Sequence, residues 1–97
     1  MQIIWDSKAN QDLNDNISHI AKQSTQNALM VLDTLLALPN SLKKFPYSYP
    51  IEPFYNKENI RFITKWSFKM VYYVTDDAIY IIRVFNTNMH PKRILDK

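Results

Sequence analysis

The chain has no cysteine and no glycine, carries two histidines, and lacks any long unbroken apolar run. Without cysteine there are no disulfides and no thiolate zinc sites, a composition that suits a reducing cytosol. Without glycine, positive φ angles must fall on other residues; asparagine and aspartate tolerate them best, so Asn40, Asn56, Asn59, Asp76 and Asp77 are the expected positions. The most apolar segment, residues 28–38, is interrupted by Asp33 and Thr34 and is far shorter than the ~20 residues of a membrane span. The opening MQIIWDSK lacks the basic flank and apolar stretch of a signal peptide. A cytoplasmic protein without membrane contact, metal or cofactor is expected. His19, with no second histidine near it in the sequence, is not a metal-site candidate.

What is present is enough for one domain over residues 1–97, at 46% apolar and 22% charged residues. The net charge of +3 is unevenly spread. Residues 1–42 hold two lysines against four aspartates, a balance of −2, whereas residues 43–97 hold ten Lys or Arg against five Asp or Glu, a balance of +5. The basic excess therefore lies in the second half, where it could attract a phosphate backbone or an acidic peptide.

Gln2–Trp5 reads as a short strand, and Asp6 or Ser7 offers an oxygen to cap a helix after it. Ala9, Leu13, Ile17, Ile20 and Ala21 then form one apolar stripe at helical spacing, with Asp12, Asn14, Asp15 and Lys22 outside it. A break at Gln23-Ser24-Thr25 precedes a second stripe, Ala28, Val31, Leu32, Leu35 and Leu38, which Pro39-Asn40 ends. So short a connection folds the two helices into an antiparallel hairpin. Residues 41–59, punctuated by Pro46, Pro50 and Pro53 among aromatics, read as an ordered arm across the core.

From Ile60 the period changes to two. Arg61, Ile63 and Lys65 alternate with Ile60, Phe62 and Thr64; Phe68, Met70, Tyr72 and Val74 alternate with Lys69, Val71 and Tyr73. Residues 75–78 are a tight turn, and residues 78–85 are the partner strand. The expected class is α+β: an N-terminal strand, an antiparallel two-helix hairpin, then a three-stranded antiparallel meander with the helices on one sheet face. The opposite face is expected to carry Arg61, Lys65, Lys69 and Arg83.

This order, together with IIWDSKANQDL, LDTLLALP, SFKMVYYV and above all IYIIRVFNTNMHPKRIL, resembles the RelE/ParE superfamily of small toxins from type II toxin–antitoxin systems. The resemblance implies a bacterial or plasmid-borne toxin held inactive by a cognate antitoxin in a toxin–antitoxin hetero-oligomer. RelE-like members cut messenger RNA on the ribosome without a metal; ParE-like members bind DNA gyrase. The first activity is the leading expectation, since the strand cations share a sequence parity; gyrase inhibition and retention of antitoxin binding alone are the alternatives.

For RNA cleavage the resemblance implies Lys69, Arg61 and His90 in catalytic roles, with Lys65, Arg83, Lys92 and Arg93 on the RNA. Lys69 stands where the family often has Arg, and lysine lacks the bidentate fork of a guanidinium. Many relatives read Phe-His-Thr-Arg at the end of the last strand. Here it is Phe85-Asn86-Thr87-Asn88, and asparagine neither takes a proton near neutral pH nor offers positive charge.

Overall fold

In the computed structural model, which describes residues 1–88, the helical stripes and the period-two segments become elements in the expected order. Strand β1 (Gln2–Trp5) leads into helices α1 (Ser7–Ala21) and α2 (Thr25–Ala37), and α2 tightens into a 3₁₀ turn over Leu38–Leu42. After the arm come β2 (Ile60–Lys65), β3 (Phe68–Val74) and β4 (Ala78–Asn86). The sheet runs β1-β4-β3-β2, with β1 parallel to β4 and the other pairs antiparallel. Parallel pairing needs a long crossover, and everything between β1 and β4 supplies it.

Capping oxygens are available at both helix starts, but one is used. Ser24 Oγ accepts from the Asn27 N–H at 3.0 Å, whereas Asp6, at the start of α1, makes no side-chain cap bond. The helices bury Ala9, Leu13, Val31 and Leu35 against Phe68, Met70, Tyr72, Ile79 and Ile81 of the sheet. Each of the Leu, Val, Ile, Phe and Met side chains among these contributes about 1.5–3 kcal/mol when taken fully out of water. A smaller cluster, Ile60, Val71 and Phe85 with Tyr55, Phe62 and Ile82 beside it, lies on the other face.

The arm is ordered by the edge of β2. The Phe62 N–H donates to the Pro50 carbonyl at 3.1 Å, the Glu52 N–H to the Ile60 carbonyl at 3.0 Å, and the Tyr72 hydroxyl to the Pro46 carbonyl at 2.6 Å. Covering an edge strand in this way satisfies groups that would otherwise pair with another chain.

Among the described residues, positive φ falls on Asn56, at 52°, and on Trp66, at 53°. The first is one of the asparagines expected to take it; Trp66 is not. It opens the two-residue loop Trp66-Ser67 between the paired ends Lys65 and Phe68, and favoured two-residue hairpins require positive φ there whatever the side chain. Holding a bulky residue in that region costs about 1–3 kcal/mol.

The same two-residue loop overturns the expectation of one cationic face. Directly paired residues of antiparallel strands share a face. Arg61 pairs with Tyr72 and Lys65 with Phe68, so both stand on the side of the helices; Lys69 pairs with Thr64 and Phe85 and stands on the opposite side. Odd residues of β2 oppose even residues of β3, so shared numerical parity places these cations on different faces.

Candidate functional site

The helix-free face of the sheet is roofed in part by the arm, and the contact is electrostatic as well as apolar. Lys69 Nζ donates to Glu52 Oε1 at 2.7 Å and lies 4.5 Å from the centre of the Phe62 ring. Glu52 is almost fully enclosed, its side chain 3% exposed against 16% for Lys69, and its other oxygen accepts from the Tyr55 N–H at 2.9 Å. Pro53 and the turn that follows bring that N–H back onto the carboxylate, three residues from its origin. Tyr55 packs here with its hydroxyl pKa raised, first by burial and then by Glu52 and Asp12, with Arg83 pulling the other way.

Arg83 follows an irregularity in the β3–β4 register, where Val71 pairs with Arg83 but Tyr72 with Ile81. Its guanidinium stacks 4.5 Å from the Phe85 ring and reaches Asp12 of α1, with Nε at 2.7 Å from Oδ2 and Nη2 at 3.2 Å from Oδ1. Strand β1 ends at the Trp5–Ile81 pair, and beyond it Asp12 Oδ2 also accepts from the Val84 N–H at 2.9 Å. Asp12 thus completes an edge that β1 leaves open. Its burial corrects the expectation that it lies outside the α1 stripe, and Arg83 is a buried pairing residue rather than an exposed cation.

Arg61 serves the arm. Its Nε donates to the Glu58 carbonyl at 2.7 Å, its Nη1 to the carbonyls of Tyr49 at 2.9 Å and Tyr47 at 3.1 Å, and its Cζ lies 5.1 Å from the centre of the Tyr47 ring. Neighbouring Tyr72 is buried, which pushes its hydroxyl pKa far above the usual value despite the Arg61 charge. Lys65 is exposed at the hairpin tip, 5.1 Å from the Trp66 ring. Asn86 Oδ1 accepts from the Asn88 N–H at 3.0 Å, a local turn bond, and Thr87 Oγ1 donates to the Ser67 carbonyl at 2.8 Å. His90, Lys92 and Arg93 lie outside the described residues. Among those described, no three His, Asp or Glu side chains converge on a metal-sized site, and no helix is long and apolar enough to cross a membrane.

The structure therefore brings Lys69 and Arg83 to one region and keeps Arg61 and Lys65 apart from it. Sequence reasoning passed over the two carboxylates that govern the region. Asp12 is three residues after Ala9 and beside Leu13, so it falls within the arc that α1 buries. Glu52 is an acid between Ile51 and Pro53 in an otherwise apolar and aromatic stretch. A cleaving site needs cations aimed at charge developing on phosphorus. Here two strand cations meet carboxylates and a third meets backbone carbonyls.

The family model described as "ParE toxin of type II toxin-antitoxin system, parDE" matches residues 3–91. The chain belongs to that family. It is the toxin half of a two-protein system, and an antitoxin is its implied partner. No curated protein matches it significantly. Among solved structures, this ParE-family chain is similar to a chain from the "Chromosomal ParDE TA system from P. aeruginosa", at 21% identity and a TM-score of 0.75. The match covers 91% of this chain and 97% of that one. At that identity the likeness concerns the fold.

Proposed function

We propose that this ParE-family toxin acts by binding and blocking a protein target, DNA gyrase, rather than by cutting RNA, and that its antitoxin neutralises it by occupying its surface. One observation carries the reading: three of the four strand cations that a metal-free ribonuclease would aim at a phosphate are committed within the chain, and the fourth, Lys65, stands apart at the hairpin tip. Lys69 is held by Glu52, Arg83 by Asp12, and Arg61 by the carbonyls of the arm. Asn86, at the place where relatives carry acid–base chemistry, is occupied in a turn with Asn88. Lacking preorganised cations and an acid–base group there, the described site forgoes the two contributions on which such cleavage depends.

The test is a pair of readouts on the unmodified chain. Purified toxin added to gyrase and relaxed plasmid lowers supercoiling and accumulates cleaved DNA–gyrase complexes, while sequencing of transcript ends after induction finds no new cuts. New cuts in translated messages with gyrase unaffected would sink the reading.

A further inference from the structure

The Glu52 carboxylate is held by a cation and a backbone N–H, the two kinds of donor that bind anions. It lies against an ammonium 2.7 Å away and accepts a backbone N–H at 2.9 Å, while aromatic rings, Phe62 at 4.5 Å from Lys69 Nζ and Tyr55, flank the pair. Cation, inward-facing N–H and stacking faces together are what single-stranded nucleic acid uses for its phosphates and bases. We propose that the Lys69 region is a latent phosphodiester site, silenced by Glu52 acting as a built-in phosphate mimic. The proposal deepens the reading of a non-cleaving toxin, on which it rests, by naming the residue that keeps RNA off the helix-free sheet face.

The mimicry follows from placement and charge. The arm holds Glu52 against β2 through its own N–H on the Ile60 carbonyl, so the carboxylate reaches Lys69 without having to be ordered on binding. An intramolecular anion fixed in this way competes with a phosphate at high effective concentration. Replacing it with a neutral isostere leaves the Tyr55 N–H a carbonyl acceptor and frees one positive charge. At 50 mM salt, one recovered phosphate contact on a single strand corresponds to about a tenfold gain in affinity.

The experiment measures anisotropy of a fluorescein-labelled single-stranded RNA oligonucleotide with the full chain over a series of salt concentrations. Glu52→Gln binds about tenfold tighter than the parent at 50 mM salt, with a steeper salt dependence, and the double variant Glu52→Gln/Lys69→Met returns to the parental value. A Glu52→Gln protein that keeps the parental circular dichroism yet binds no tighter overturns the proposal, as does a double variant that keeps the gain. A second measurement compares salt slopes: the parent and the double variant, both neutral at this pair, share one slope, and a parental slope as steep as that of Glu52→Gln would show that the Lys69 charge was never silenced. These outcomes are independent of the gyrase and transcript readouts on the unmodified chain, so either idea can fail alone.

Discussion

Two carboxylate–cation pairs tie this chain together, and they are built differently. Asp12–Arg83 joins residues 71 apart in sequence, makes two guanidinium contacts and also caps the Val84 N–H, with side chains 6% and 10% exposed. Glu52–Lys69 joins residues 17 apart through one ammonium contact, with the lysine 16% exposed. The first locks α1 to the open edge of β4; the second clasps the arm to the helix-free face. A planar fork fixed at both nitrogens specifies geometry, while a lysine on a flexible stem supplies charge that water can share. The first pair is therefore architecture, and the second is where binding can be switched by a single side chain.

The sharpest way to break this contrast is to remove each cation in turn. Arg83→Met leaves the Asp12 carboxylate buried without its partner and costs about 3–5 kcal/mol, read as a lowered urea midpoint at unchanged slope. Lys69→Met removes one ammonium contact instead of two guanidinium contacts, but it strands a carboxylate that is 3% exposed, and costs somewhat less, about 2–3 kcal/mol. Equal losses from the two variants would erase the distinction between lock and clasp.

One of those other ties gives the smallest expected effect. Tyr72→Phe removes the hydroxyl that donates to the Pro46 carbonyl and costs about 1 kcal/mol at neutral pH. It also changes the alkaline limb. Because burial raises the Tyr72 pKa in the folded state above its ordinary value near 10, its contribution is fully present below pH 10. It is lost as the pH rises towards the folded pKa, since the unfolded chain ionises first. Stability measured from pH 9 upward thus falls less steeply in the variant; an unchanged alkaline slope would remove Tyr72 from the account.

Much of the fold is legible in the residues. The stripes Ala9–Leu13–Ile17–Ile20 and Ala28–Val31–Leu35 specify helices because apolar side chains at that spacing have one face to bury. The alternation along β3 assigns Met70 and Tyr72 to the core and Lys69 and Val71 to the other side, as the structure has them. Less of the site could be read. Arg61, Lys65 and Lys69 share a parity in sequence, but a two-residue loop pairs odd with even and sends Lys69 to the opposite face. Arg83 looked like surface charge because its partner, Asp12, lies 71 residues away on another element.

The class and order of elements, the helical and strand faces and, through the resemblance, the toxin family follow from the residues alone. These depend on local periodicity and on side-chain chemistry carried along the chain. Which cations are paired depends on the packing of distant elements. Whether a lysine or arginine can meet a phosphate depends on which carboxylate reaches it first, and Asp12 and Glu52 are brought to Arg83 and Lys69 by the packing of α1 and of the arm.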